Sequence, residues 1–324
     1  MQSLSRGNRR IAQWSRLVLG LAAATTLASS TLVAQRAPAR QSDLQGTWDN
    51  ATATPLVRPK PFADKAHFTR EEADAFEKDN YNRILSGFSA EDRLASDLNE
   101  TYQETADLKV VDDLRTSLIV DPPDGQLPAP LPQVQARIDA RPKRNYDDPE
   151  TLTLDERCLM AVGSGSSSGA PPLVPNPFGQ NLYQIVQTQD RVLIFAEMVH
   201  DARVIRLNGT HLPPSIRQWT GDSIGHWEGN TLVVETQNLE PGHHWIQSGV
   251  PVGEALRIVE RWKLTEGGKV LEIQLKMTDP QYWEGDWIST KRYNLRDDRD
   301  IFEVHCIAAE MAKLPSAKPS ANRK

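Results

Sequence analysis

Cysteine is scarce in this chain of 324 residues, which contains only Cys158 and Cys306. No Cys-x-x-Cys motif is present, so a thiol redox site of that kind is excluded. Adjacent histidines such as His243 and His244 rarely converge on one ion, whereas a zinc site needs three or four converging ligands. The sequence therefore predicts no metal site, and we expect no cofactor.

An excess of basic residues is also missing. The chain has 37 Lys and Arg against 43 Asp and Glu, which gives a formal net charge of −6. The first 34 residues contain four arginines and no acidic residue, so their removal would change the charge from −6 to −10. An acidic protein without a basic stripe is not typical of nucleic-acid binding or of binding to an anionic membrane. We expect neither partner.

Long apolar runs are absent beyond the N-terminus. Residues 17–34 carry no charge, follow the four arginines and end in Leu32-Val33-Ala34, which is typical of a secretory signal peptide spanning residues 1–34. An uncleaved membrane anchor is the alternative, but five Ser and Thr residues dilute the segment. We expect a periplasmic or secreted protein with no stable membrane span after the signal is removed.

Export bears on the two cysteines. In an oxidising compartment, two cysteines without a third favour one disulfide, Cys158–Cys306. The bridge would close a long loop and stabilise the fold by about 4–5 kcal/mol on a chain-entropy view. Two buried free thiols are the alternative.

Two regions of different composition follow each other in the mature chain. Residues 35–160 are acidic and helix-prone. Their Asp43-Leu44-Gln45-Gly46-Thr47-Trp48 segment predicts an opening strand, and Thr69 with Glu72 forms a capping box that starts a helix toward Leu85. Further expected elements are a helix over residues 90–105, a strand over 115–120 and a helix beginning at Pro132. A Gly/Ser/Pro-rich loop covers residues 161–180.

Residues 181–310 read as a β-meander, and the polar tail 311–324 is expected to be disordered. The predicted strands are residues 182–188, 192–199, 232–236, 256–264, 270–277, 288–295 and 301–305. Successive strands joined by short turns close most simply into an up-and-down barrel. The predicted fold is therefore mainly β, an antiparallel barrel with a helical N-terminal extension.

Several segments resemble a group of exported bacterial proteins with a lipocalin-like, or calycin-like, barrel. The opening DLQGTW segment looks like the entry strand of such barrels. The wider resemblance rests on residues 115–125 (RTSLIVDPPDG), 156–159 (ERCL), 183–187 (YQIVQ), 197–203 (EMVHDAR), 211–219 (HLPPSIRQW), 221–223 (GDS), 227–234 (WEGNTLVV) and 259–261 (VER). The resemblance implies the barrel fold and export, and it implies no particular reaction.

Alternation along residues 256–264 places Glu260 and Trp262 on the apolar face, which is the expected core or lumen side. A carboxylate among apolar side chains is costly unless it is paired. Glu260 therefore either forms a buried pair with an arginine or belongs to a binding site.

The segment 197–219 is the densest group of chemically functional side chains. His200 is a candidate general base with Asp201 or Glu197 orienting it, and Arg203 and Arg217 are candidates to hold a carboxylate or an oxyanion. Neighbours on a strand point to opposite faces, so His200 and Asp201 share a lumen only at a bulge. The competing interpretation is a set of polar residues that end a strand and cap a loop. The remaining candidates in this segment are His211, Gln218 and Trp219.

Three functions remain open at this point. The leading one is a barrel that binds a small, largely apolar or ring-shaped molecule, since six of the eight tryptophans fall in the β half. The second is a metal-free isomerase, lyase or hydrolase with a His/carboxylate acid–base pair. The third is a structural or interaction protein of the cell envelope.

Overall fold

The structure is a computed structural model, and it describes residues 42–85, 108–140, 181–197, 202–218, 220–240 and 253–301. These residues form two α-helices, α1 (Arg70–Leu85) and α2 (Pro132–Asp139). The strands are β1 (Gly46–Asp49), β2 (Ile119–Asp121), β3 (Leu182–Gln187), β4 (Arg191–Ala196), β5 (Ala202–Leu207), β6 (Asp222–Glu228), β7 (Thr231–Gln237), β8 (Arg257–Thr265), β9 (Val270–Thr278) and β10 (Trp287–Leu295).

Nine of these strands close into a barrel. The order is β1, then β3 to β10 in sequence, and β1 also pairs with β10. Trp48 on β1 lies opposite Tyr183 on β3 and opposite Leu295 on β10, so this strand completes the circle. β2 extends the sheet from the first half of β10. The prediction of a mainly β fold with a closed barrel is confirmed.

One neighbouring pair in the barrel is parallel. Strand direction cannot alternate all the way around a closed ring with an odd number of strands, so nine strands require at least one parallel pair. β5 and β6 supply it, with Ile205 opposite Ser223 and Leu207 opposite Gly225. The described residues between these two strands, 208–218 and 220–221, therefore belong to a crossover that returns along the barrel. The prediction of antiparallel pairing throughout is wrong here, because β5 and β6 were not predicted as strands.

The first half contains the predicted capping box. The Thr69 N–H donates to Glu72 Oε2 at 2.8 Å, and the Glu72 N–H donates to Thr69 Oγ1 at 3.2 Å. α1 then runs to Leu85, and α2 begins at Pro132, both as predicted. β2 covers only Ile119–Asp121, whereas a strand over residues 115–120 was expected. The predictions for residues 1–34, 90–105, 161–180, 302–305 and 311–324 lie outside the described residues.

The barrel interior holds the main core. Alternation along each strand turns one set of side chains inward, and the bulkiest fully buried residues include Trp48, Trp262, Trp287 and Lys291. In the described part of the chain, no helix is long and apolar enough to cross a membrane.

Candidate functional site

The register of the barrel places inward residues of neighbouring strands in rows. In one row, Ser289 on β10 and Glu260 on β8 face the same residue of β9 from opposite sides. In the next row, Lys291 on β10 and Trp262 on β8 flank Ile273 in the same way. Adjacent strands lie about 4.8 Å apart, so each such pair is separated by about 10 Å of backbone. The side chains on this wall therefore share one region of the interior.

Glu260 and Arg203 form an ion pair inside the barrel. The Glu260 side chain is fully buried, and the Arg203 side chain is 7% exposed. Arg203 Nη1 donates to Glu260 Oε1 at 3.2 Å, and Nη2 donates to the other carboxylate oxygen. The prediction that Glu260 faces the interior is confirmed, and of the two roles expected for it the structure shows the buried pair with an arginine.

Two hydroxyl groups complete this pair. Arg203 Nε donates to Ser223 Oγ at 3.0 Å, and Nη2 donates to Thr236 Oγ1 at 2.7 Å. The two hydroxyl oxygens are 2.8 Å apart, so they also bond to each other. Burial raises the pKa of Glu260, and the Arg203 guanidinium opposes this shift. The network links four successive strands, from β5 to β8, through their inward faces.

A second polar group lies on the inward face of β10. Trp287, Ser289 and Lys291 are all buried there. Among the described residues, the Trp287 indole N–H and the Ser289 hydroxyl have no hydrogen-bond partner. Burial lowers the pKa of Lys291 to about 7. The buried Tyr293 hydroxyl on the same face also has no partner among the described residues, so this face carries four side chains that can donate hydrogen bonds, three of them unused.

Two tyrosine rings lie next to this polar wall. Lys291 Nζ lies 5.6 Å from the centroid of the Tyr293 ring, within the range of a cation–π contact. The Tyr293 ring meets the Tyr183 ring edge to face, with centroids 5.9 Å apart. Burial raises the pKa of both phenols, and the Glu197 carboxylate adds to the shift of Tyr183. Both phenols are therefore neutral donors at ordinary pH.

The crossover holds three of the predicted site residues away from the lumen. His211 Nδ1 lies 2.9 Å from Asp222 Oδ2. Asp222 precedes the inward Ser223, so it faces outward. Arg217 donates to the Leu239 carbonyl at 3.0 Å and to Glu254 Oε2 at 3.1 Å. Gln218 makes backbone bonds to residues that follow β7. The side chains of His211 and Arg217 and the backbone of Gln218 thus fasten the crossover to neighbouring segments of the chain.

The remaining predicted residues divide into two groups. Trp262 lies in the lumen beside Glu260, and Glu197 is buried just after β4, where its N–H donates to the Leu182 carbonyl at 3.0 Å. His200, Asp201 and Trp219 lie outside the described residues, as do Cys158 and Cys306.

The sequence interpretation missed most of the lumen on β10. Trp287, Ser289, Lys291 and Tyr293 share a face by simple alternation, so the signal was present. The opposite face of this strand carries Ile288 beside Thr290, Arg292 and Asn294, so it is the more polar one, but Ser289 and Lys291 reduce the contrast between the two faces. Because both faces are mixed, hydrophobicity alone did not identify the inner one.

No protein-family model matches this chain, and no curated protein matches it in sequence.

Proposed function

We propose that the protein binds a small, largely apolar, ring-shaped molecule inside its barrel, in the periplasm or outside the cell. The observation that carries this proposal is the set of donors on Trp287, Ser289 and Tyr293 that have no partner among the described residues. Buried polar groups in folded proteins almost always have a partner, and exceptions call for a missing water, ion or ligand. The interior of a small barrel is either filled by its own side chains or holds one small ligand.

The aromatic lining supports a ring-shaped ligand. Trp48, Trp262 and Trp287 are fully buried core residues on inward faces, and the buried Tyr183 and Tyr293 rings meet edge to face. Aromatic side chains pack favourably against other rings in offset or edge-to-face geometry. Ligand sites of this kind combine an apolar lining with a few placed polar groups.

Export and a lipocalin-like relationship belong to the same proposal. The positively charged and then apolar residues 1–34 support a secreted protein, and a closed barrel is compatible with the calycin-like group that the sequence motifs resemble. In that compartment we propose a Cys158–Cys306 disulfide. A thiol assay on the unfolded, unreduced protein should detect no free thiol, and two titratable thiols would rule the bridge out.

The acid–base alternative receives less support. It requires a histidine beside a carboxylate, both facing the lumen. Within the described ranges, the two His–carboxylate contacts are His211–Asp222 and His226–Glu228, and alternation along β6 turns both carboxylates outward. An envelope interaction protein, the third function, would give no reason for unused donors inside a barrel.

Native mass spectrometry of the protein purified from its natural compartment tests the proposal. We expect a mass excess that disappears under denaturing conditions, and a change in tryptophan fluorescence when the emptied protein is titrated with ring compounds. Absence of both the mass excess and the fluorescence change would overturn the proposal.

A further inference from the structure

We propose that the Trp287 indole N–H and the Ser289 hydroxyl donate hydrogen bonds to a neutral acceptor on the bound molecule, so that the ligand is an uncharged ring compound with a carbonyl group. This inference rests on the function proposed above, and it specifies the ligand's chemical class. The site lies at the end of the barrel where β9 connects to β10.

The position of the two donors is the first support. Trp287 and Ser289 are fully buried, and alternation puts them on one face of β10, about 7 Å apart. Trp287 lies opposite Met277 and Ser289 lies opposite Leu275, so buried apolar side chains of β9 flank both donors. One small ring compound can therefore contact both positions.

Chain segments cover this end of the barrel. The Leu131 N–H donates to the Tyr282 carbonyl at 2.8 Å, and the Glu284 N–H donates to the Ala129 carbonyl at 3.0 Å. These bonds hold the segment that leads into α2 against the β9–β10 connection. The connection also contains Trp283, which is buried in the main core cluster. Because the two donors are fully buried here, bulk water does not satisfy them.

The direction of the missing hydrogen bonds is the second support. Among the described residues, the indole nitrogens of Trp283 and Trp287 and the hydroxyl oxygen of Ser289 have no hydrogen-bond partner. An indole N–H can only donate, and a hydroxyl can donate as well. A carbonyl oxygen only accepts, and its two lone pairs can take two such bonds. An amine or an alcohol would bring a further donor, so a carbonyl group matches the site better than either.

The charges of the interior favour a neutral ligand over an acid. On the inward strand faces that the structure describes, the buried cations are Arg203 and Lys291. Arg203 is neutralised by Glu260. Lys291 lies near the Tyr293 ring, and burial lowers its pKa to about 7, so above this pH it is largely uncharged. A buried carboxylate without a compensating charge is costly, whereas a neutral carbonyl group avoids this cost.

The test compares three compounds that share a naphthalene ring. Acetylnaphthalene carries a carbonyl group, ethylnaphthalene lacks the oxygen, and naphthoate carries a negative charge. Their binding to the emptied wild-type protein is measured by equilibrium dialysis about one pH unit above the Lys291 pKa. We expect the ketone to bind about tenfold more tightly than either the hydrocarbon or the acid, which is the worth of about one hydrogen bond.

Ser289→Ala and Trp287→Phe each remove one donor and keep most of the side chain. Each should lower the affinity for the ketone at least about threefold and leave that for the hydrocarbon nearly unchanged. Ser117→Ala is the matched control, because Ser117 is also buried but donates to the Leu56 carbonyl at 2.6 Å. It should keep the preference for the ketone. In the empty protein, Ser117→Ala should lower the thermal midpoint, whereas Ser289→Ala removes an unpaired hydroxyl and should not.

Equal binding of the ketone and the hydrocarbon by the wild type would overturn the carbonyl proposal and leave ring binding standing. A preference for the ketone that survives unchanged in both Ser289→Ala and Trp287→Phe would overturn it as well. Tighter binding of naphthoate than of the ketone would overturn the neutral class. If none of the three compounds binds, the carbonyl proposal fails, and the proposed function fails with it when no mass excess accompanies the purified protein.

Discussion

Arg203 and Glu260 join strands β5 and β8 across two intervening strands by an ion pair with two contacts. The strands between them contribute Ser223 and Thr236 to the same network. A slip of one residue would turn any of these side chains to the outside, so the network holds four strands in one register. The network keeps these four side chains turned toward the interior whether or not a ligand is present.

Glu260→Gln should destabilise the fold. The amide cannot neutralise Arg203, which would remain as a buried charge, and loss of one member of a buried pair costs about 3–5 kcal/mol. The free energy of unfolding from urea titration at neutral pH measures the effect.

The matched control is Glu235→Gln. Glu235 pairs with Arg257 on the outside, where the arginine side chain is 54% exposed. Exposed pairs contribute about 0–1 kcal/mol, so the free energy of unfolding of this variant should be close to that of the wild type. Equal stability of the two variants would mean that the Arg203–Glu260 pair does not contribute the expected amount to the free energy of unfolding.

Alternation predicted the inward face of β8 correctly. The inward face of this strand carries Ile258, Glu260 and Trp262, whereas Arg257 and Lys263 lie on the other face. The contrast in polarity between the two faces is large, so a single buried carboxylate does not obscure it. On β10 the inward face includes Ser289 and Lys291, which reduce this contrast. Local sequence therefore identified Glu260 and missed Lys291.

The crossover was not predictable from local pattern either. β5 places Arg203 inward and Arg206 outward, and β6 contains Gly225 and His226, so neither segment shows a clear alternation. The need for one parallel pair follows from closing nine strands into a ring, which is a property of the whole sheet. The segment therefore read as a cluster of functional residues, although most of those described hold the crossover in place.

Asp222→Asn should make the free energy of unfolding depend less on pH in the acid range. Burial alone would raise the pKa of Asp222, but the bond from the Leu212 N–H and the contacts with His211 and Arg206 outweigh it and lower the pKa. The stabilisation is thus fully present above the unfolded pKa of about 3.8 and is lost as the pH falls through the folded value.

At neutral pH the Asp222→Asn variant should lose about 1.5–3 kcal/mol, the usual worth of hydrogen bonds to a charged group. The deficit should shrink as both proteins approach pH values at which Asp222 itself is protonated. Urea titrations over a series of pH values measure it. A deficit that stays constant into acid would show that the charge of Asp222 is not the cause.

Gly225→Ala should destabilise the barrel by overpacking. A Cβ at this inward position would lie 3.0 Å from Ile205 Cγ2 and 3.3 Å from Leu207 Cδ2 and Leu232 Cδ1. Extra methyl groups in a packed core cost about 1–3 kcal/mol. Gly285→Ala is the control, since nothing lies within 4 Å of its Cβ position. Equal thermal midpoints for the two variants would mean that the interior has more room than these distances indicate.

Lys291 should make the protein more stable as the pH rises above neutrality. Its pKa is about 7 in the folded state against 10.5 for an ordinary lysine, so between these values the unfolded chain binds a proton that the folded one does not. The free energy of unfolding should then increase with pH, by up to about 1.4 kcal/mol per unit.

Lys291→Met has no amine at this position, so it should be more stable than the wild type near pH 7 and lose that advantage toward pH 9. This pH range lies below the raised pKa values of Tyr183 and Tyr293, so the two phenols stay neutral throughout. Lys263→Met should follow the wild-type curve, and parallel curves for all three proteins would show that Lys291 keeps its charge in the fold.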